Sequence, residues 1–471
     1  MPNFRITTVL LFTLLLFSRL AGAQPTGRYQ AIYSGTPWFD QRGQVVSAHG
    51  ANIVRDKARY YLFGETHTDT SNVFAGFSCY SSADLYTWKF ERMALPAQPA
   101  GKLGPKRVGE RPKVMKCPQT GEYVMFMHVD TLGYRDQFVG YATAKAITGP
   151  YVFQGPLLFH GKPIRKWDMG TFQDHDGAGY VLIHGGEIYQ LSADYKSVDK
   201  QVNKNMTAGF ESPALFRKGN LYYLLGSDLT SWERNDNTYY TAPALQGPWT
   251  ARGRFAPPGT LTWNSQTTFV LPVIGTQDTT YLFMGDRWSY PKQASAATYV
   301  WQPLTVAVSA VSMPTYQPAW RLNTASGVAA PASVPGNPIE NTDSRIRYAG
   351  SWQHNPSDTP TTSSSAEKGA SFSVQFTGTQ VALVGLAQPI GGYAHLTLRN
   401  RKGKTVLAAT LDLYSKYPVA GLQFVSPRLA KDTYIVTVSV LGERSNWSDK
   451  RKNFYGSRGD VVAVDKLLVT E

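Results

Sequence analysis

The chain has 471 residues, a formal net charge of +14 and only two cysteines. So few cysteines exclude a disulfide scaffold, and basic residues dispersed along the chain speak against nucleic acid as a partner. Aromatic residues at 13% and 42 glycines favour an all-β protein with aromatic-lined surfaces, and the length suggests two domains.

The chain opens with a basic start, an apolar core and Ala21-Gly22-Ala23. Residues 1–23 are therefore expected to be a cleavable export signal, with the protein secreted or periplasmic and not inserted in a membrane after its removal. Without Arg5 and Arg19 the net charge is +12. A basic exported protein suits acidic glycans or envelope surfaces, though solubility alone accounts for such a charge. Cys79 and Cys117 either pair or remain as two buried thiols; the sequence leaves both open.

Five similar stretches follow: GANIVRDKARYYLFGE (50–65), RPKVMKCPQTGEYVMFMH (111–128), MGTFQDHDGAGYVLIHG (169–185), SPALFRKGNLYYLLGS (212–227) and TTFVLPVIGTQDTTYLFMGD (267–286). Each is a short apolar run, a polar turn and a second run rich in tyrosine and aliphatics, the pattern of a β-hairpin. They recur at spacings of 61, 58, 43 and 55 residues, and the first four are followed by segments that read as a second strand pair. Such a repeat predicts four-stranded blades, five of them, in a β-propeller over residues 25–322. Beyond it, 323–339 is rich in Ala, Pro, Ser and Gly and reads as a linker. Alternating strands resume over 340–471, enough for a jelly-roll-like β-sandwich that is either a carbohydrate-binding module or a spacer. TPTTSSSAE (359–367) reads as a surface loop.

In a propeller the innermost strands run in one direction, so residues at their starts meet at one mouth. Those places hold His49, Glu110, Asp168, Glu211 and Gln266. One carboxylate before a strand is usually a solvated turn residue; three at equivalent places are not so easily dismissed. Two carboxylates across a cleft are what glycoside hydrolysis requires, and a third raises the pKa of the acid. Glu65, Glu187 and Asp286, at the ends of second strands, would add groups for sugar hydroxyls. Trp167, Trp232, Trp263 and Trp288 lie near the motifs and are candidates to stack on sugar rings.

The stretches AHGANIV, GERPKVMK, WDMGTFQDHDG, ESPALFRKGNLYYLLGS and TWNSQTTFVLPV resemble glycoside hydrolase family 43, and within it the exo-β-1,3-galactanase branch. The resemblance implies an inverting five-bladed propeller that releases galactose from the β-1,3-galactan of arabinogalactan. It implies Glu211 as general acid, Asp168 as the modulator of its pKa, and Glu110 and Gln266 as base or water-positioning groups. It also places Tyr134, Glu65 and Asp286 at the sugar pocket, and His49, at the first strand start, is a further candidate to bind substrate there. The family's usual base, an aspartate opening the first blade, is absent: His49-Gly50 stands there, as in the galactanase branch. Glu110 is an ordinary base by chemistry, whereas a neutral amide such as Gln266 accepts a proton only through its imidic tautomer or merely orients water. The partner is expected to be a plant-type or other galactose- or arabinose-containing polysaccharide. No cofactor is required; similar propellers sometimes carry a structural calcium in the channel, but no EF-hand or zinc motif is present. The alternatives are an α-L-arabinofuranosidase or β-D-galactofuranosidase on the same fold, and a non-catalytic glycan-binding propeller.

Overall fold

The computed structural model describes residues 28–471 apart from Asn205, Ala208, Pro335, 356–359 and Lys450. The expected export signal lies outside the described residues. The fold is nearly all β-strand, with two four-residue helices, Leu261–Asn264 and Gln293–Ala296, among the described residues.

Five antiparallel sheets follow one another in the first lobe. Their first strands are His49–Asp56, Arg107–Lys116, Met169–Gln173, Glu211–Lys218 and Gln266–Ile274. In each sheet the strands are hydrogen-bonded in chain order, four to a sheet; the third adds the short strands Leu158–Phe159 and Lys162–Pro163 at its outer edge. Each first strand packs beside the next sheet's first strand, and the fifth returns to the first. The five hairpins of the sequence are thus the inner halves of five sheets arranged in a ring.

Burial explains the composition of these strands. The second strands lie between neighbouring sheets on both faces, so Tyr123–Thr131 is buried at every position but the last, and a continuous apolar run results instead of alternation. The outer strand Thr250–Arg254 (TARGR) is exposed throughout, and its arginines keep an open sheet edge soluble.

At the site end, four of the five inner hairpins break register. The pairing slips between His49 and Asn52, Glu110 and Lys113, Glu211 and Ala214, and Thr267 and Phe269. Bulges of this kind re-aim side chains and cluster beside active sites. In the first, second and fourth sheets the residue after the site residue is left-handed: Gly50 at φ +59°, Arg111 at +54° and Ser212 at +56°. A non-glycine residue in that region costs about 1–3 kcal/mol and persists only where its surroundings hold it. Here the holders are visible: the Arg111 amide donates to Glu65 Oε1 (2.8 Å) and the Ser212 amide to Asp168 Oδ2 (2.8 Å).

Among the described residues the second lobe has two large sheets and a two-stranded hairpin. One large sheet pairs Arg347–Ala349, Ser371–Gly378, Asp432–Val440, Tyr393–Asn400 and Thr405–Asp412; the other includes Gln380–Ala387, Val419–Val425 and the last strand, Val462–Thr470. Alternate residues such as Phe372, Val374 and Phe376 point into its core. That core is continuous with Trp301 and Trp320 of the first lobe, in one apolar cluster.

Two expectations about the chain between the lobes do not hold. Residues 323–339 are not a strandless linker: Val328–Pro331 pairs with Ala319–Asn323, and Asn337–Glu340 pairs with the last strand. Nor is 359–367 a surface loop in its described part, since Thr362–Ser365 is a largely buried strand held against Val462–Thr470. Small polar residues fit such places because the strand is central, with both edges bonded.

Candidate active site

The strand starts converge on a cleft of about 940 Å³. Glu65, Glu110, Tyr134, Asp168, Glu211 and Gln266 all line it, as do Arg111, His128, Trp167, Trp232 and Trp288. Arg111 and Gln266, 155 positions apart in sequence, are directly bonded there.

Arg111 is the hub. Its Nε donates to Asp168 Oδ1 (2.7 Å), and one terminal nitrogen donates to both Ser212 Oγ (2.6 Å) and Gln266 Oε1 (2.6 Å). The other donates to the Thr267 carbonyl and Thr268 Oγ1, both at 3.3 Å. Burial acts to lower its pKa, but Asp168, Asp286, Glu65 and Glu211 together raise it. The left-handed backbone at 111 turns this side chain across the mouth of the ring, where a regular strand would place it on one sheet face.

Glu211 begins the fourth inner strand. Gln266 Nε2 donates to its Oε1 at 3.0 Å. Burial pushes the Glu211 carboxyl well above the usual range; the negative charge of Asp168 adds to this and Arg111 only partly offsets it. A glutamic acid that keeps its proton at neutral pH is suited to general-acid work. Gln266 is pinned by the Glu211 bond, by Ser227 Oγ (3.1 Å) and by Trp288, whose indole donates to Gln266 Oε1 at 2.8 Å.

Glu110 is the opposite case. Its Oε1 accepts from Tyr134 Oη (2.7 Å) and Asn72 Nδ2 (2.8 Å), and Oε2 lies 2.9 Å from His128 Nδ1. Burial alone would raise this carboxyl, but His128, Tyr134 and Asn72 outweigh it and hold the pKa down at about 2. His128 in turn is lowered by burial and raised more strongly by Asp130 and Glu110, to about 9. The site therefore separates two glutamates, one whose carboxyl is pushed up and one whose carboxyl is held down.

The remaining expected residues divide. Glu65 lines the cleft, accepting from the Arg111 amide and pairing with His67 at 3.0 Å. Asp286 lies beneath the cleft floor, not on its lining: it accepts from the Gly50 amide (3.0 Å), and burial raises its pKa to about 6. Three expected substrate contacts are overturned. Glu187 starts a third strand instead of ending a second; it pairs with Lys166 (2.9 Å) and Tyr189, away from the cleft. Trp263 packs on Tyr316 and donates to the Met313 carbonyl, serving the fourth and fifth sheets. His49 is fully buried, stacked on Tyr299 at 4.4 Å behind Trp288. A histidine at a strand start reaches the mouth only if its side chain turns inward; here Tyr299 takes it the other way.

The usual base position is taken by His49, and the left-handed residue after it, Gly50, lies close against Glu65: a Cβ there would be 2.1 Å from Glu65 Oε1, so a side chain at 50 would make the Glu65 carboxylate move.

Arg111, Asn72 and His128 were not anticipated. Arg111 had a signal, because it stands one residue after Glu110 as Ser212 stands after Glu211. His128 sits directly across the hairpin from Glu110, a pairing readable once the register is known. Asn72 lies in an irregular connection with no local signature.

A calcium ion does not fit this donor set. Glu65, Asp168 and Asp286 already face Arg111 and the buried Lys113, whose Nζ donates to the carbonyls of Gly50 and Ala51. Among the described residues no cluster of three or more His, Cys, Asp or Glu could hold a metal. Cys79 and Cys117 are both buried free thiols. Among the described residues no helix is long and apolar enough to cross a membrane.

The family model for glycosyl hydrolases family 43 matches residues 46–257. A crystal structure from Bifidobacterium bifidum s17, provisionally named an exo-β-1,3-galactanase, is 36% identical; the match covers 59% of this chain and 95% of that one, with a TM-score of 0.56. The exo-β-1,3-galactanase of Phanerochaete chrysosporium, determined with β-1,3-galactotriose, is 27% identical over 93% of this chain and 100% of that one, with a TM-score of 0.65. An exo-β-1,3-galactanase from Clostridium thermocellum shares the fold at 24% identity and a TM-score of 0.59, over 93% and 96% of the two chains. No curated protein matches the sequence.

Proposed function

The chain belongs to glycoside hydrolase family 43, and from that premise we propose that it is an exported, exo-acting, inverting enzyme that releases galactose from the β-1,3-galactan of arabinogalactan. The observation that carries this reading is one cleft lined by two glutamates in opposite surroundings: Glu211, its carboxyl pushed up by burial and Asp168, and Glu110, its carboxyl held down by His128, Tyr134 and Asn72. The five-sheet lobe is read as a five-bladed propeller, supported by the cyclic packing of its inner strands. The second lobe, from about residue 340, is read as a β-sandwich. The galactanase likenesses support the choice of substrate.

Glu211 gives its proton to the glycosidic oxygen as the bond to the anomeric carbon breaks. Asp168, fixed by Arg111 and Ser212, keeps that proton in place beforehand. Glu110 positions the attacking water on the other face of the ring and takes its proton as the oxocarbenium-like centre is attacked. Gln266 Oε1 accepts from Arg111 and Trp288, and its Nε2 donates to Glu211 and Ser227, so it acts by fixing Glu211 and Arg111 and not as a base. Glu65 and Tyr134 bind hydroxyls of the terminal sugar. No cofactor takes part.

The test is incubation with β-1,3-galactan, arabinan and aryl furanosides, following the released sugar and its anomer by proton NMR. Galactose first appearing as the α-anomer is expected. Arabinose would favour a furanosidase, and saccharide binding with no sugar released would favour a non-catalytic propeller.

A further inference from the structure

The cleft is not built by the first lobe alone. Asn446, Trp447, Ser448, Asp449 and Arg451 line it together with Glu110, Asp168, Glu211 and Gln266. They belong to the second lobe, on a two-stranded hairpin of Asn446–Ser448 and Phe454–Gly456.

This hairpin is fastened to the first lobe. The Asn446 amide and Ser445 Oγ donate to the Tyr290 carbonyl at 3.1 and 3.2 Å, and the Gly456 amide donates to Glu233 Oε2 at 3.4 Å. Trp447 lies against Tyr455 and meets Trp232 edge-on, and Trp232 stacks on Tyr290 at 4.7 Å and 11°. Tyr290 follows Trp288 by two residues, and Trp288 holds Gln266. The wall and the catalytic floor are therefore parts of one packed unit.

The face it presents suits a sugar chain. Phe454 is paired with Ser448 and shares its side of the hairpin, yet 87% of it is exposed. Arg451 is exposed beside it. The Trp447 indole N–H is buried with no acceptor among the described residues. Leu132, Trp167 and Leu229 are also exposed apolar residues of the cleft lining. The deep end is occupied by Glu65, Arg111 and Gln266, which the hairpin does not touch. An exo-acting site seats its terminal sugar at the deep end, which leaves the hairpin beside the chain that departs.

We propose that this hairpin forms the leaving-group side of the active cleft, with Phe454 stacking on a galactosyl ring beyond the scissile bond and Arg451 donating to its hydroxyls. Resting on the reading above, this makes the second lobe part of the catalytic site and the determinant of preference for chains over short glycosides.

The experiment uses the full chain. The ratio of kcat/KM on β-1,3-galactotetraose to that on 4-nitrophenyl β-galactoside is measured for the parent, Phe454→Ala, Arg451→Ala and the double variant. The double variant is expected to lose about tenfold in this ratio, the size of one lost aromatic or hydrogen-bonded contact. Ile435→Ala, on the second lobe's other exposed surface, keeps the parent ratio. An unchanged ratio in the double variant, with galactose still released, overturns the proposal and leaves the function standing. Calorimetric titration of the Glu211→Gln chain with galactotetraose reads the hairpin independently of turnover. If the parent releases no galactose the function falls, and the hairpin then stands or falls on whether Phe454→Ala with Arg451→Ala weakens this binding about tenfold.

Discussion

Replacing Arg111 with Met removes a charge bonded to Asp168, Ser212, Gln266, Thr267 and Thr268. Three buried or half-buried carboxylates, Glu65, Asp168 and Asp286, then keep Lys113 as a nearby cation, with His128 also near Asp168. Removing one partner of a buried ion pair costs about 3–5 kcal/mol, mostly because the opposite charge is left uncompensated. Part of that cost is recovered: Arg111 now helps push Lys113 down to about 7, and its loss lets Lys113 hold its proton more firmly. The net expectation is a loss of about 3 kcal/mol in urea unfolding. Catalysis suffers separately, because Gln266 and Asp168 lose their anchor; kcat is expected to fall about 10²- to 10³-fold, as for other lost positioning donors. Arg111→Lys restores the charge but not the fork of donors, so it should regain stability more than turnover. Unfolding of Arg111→Met at the parent's urea midpoint, or full kcat in Arg111→Lys, would refute the hub.

Glu211→Gln should lower turnover on β-1,3-galactan about 10²- to 10⁴-fold but spare much more activity on an aryl galactoside with an acidic leaving group; equal losses on both would sink the general-acid role. The Glu110–His128 pair predicts a stability window in pH. Glu110 is depressed from 4.5 to about 2, so its contribution is lost as pH falls from 4.5 towards 2; His128 is raised from 6.5 to about 9, so its contribution is lost as pH rises from 6.5 towards 9. The urea midpoint of His128→Gln should therefore trail the parent's most between pH 4.5 and 6.5, and a gap independent of pH would contradict the pairing. Gly50→Ala should cost more than about 1 kcal/mol through its positive φ and also impair catalysis by displacing Glu65; parent-like kinetics would show that the position of Glu65 is unimportant. Reducing agent should leave the melting temperature unchanged, since Cys79 and Cys117 are free thiols.

The inner hairpins were legible because strand patterning is local: a run such as LYYLLGS announces itself within seven residues. The same holds for the residues at their starts, and Glu110, Asp168, Glu211 and Gln266 do meet in one cleft. Position along the strand was legible; direction of the side chain was not. Whether His49 faces the mouth or Tyr299, and whether Glu187 ends one strand or begins another, depends on bulges and turns that shift a side chain from one face to the other. Trp263 failed as a ligand candidate for a related reason, since nearness to a motif in sequence does not distinguish a lining ring from one packed between sheets.

What the sequence by itself determined is the repeat, the number of sheets and the chemical types gathered at their starts, because these follow from patterns a few residues long. The tertiary structure alone decided that Arg111 bridges three sheets, that one glutamate has its carboxyl pushed up and another has it held down, and that a hairpin more than 150 residues beyond the last inner strand walls the cleft. The reason is physical: a pKa or a wall is set by the charges and surfaces within a few ångströms in space, and here those come from segments far apart along the chain.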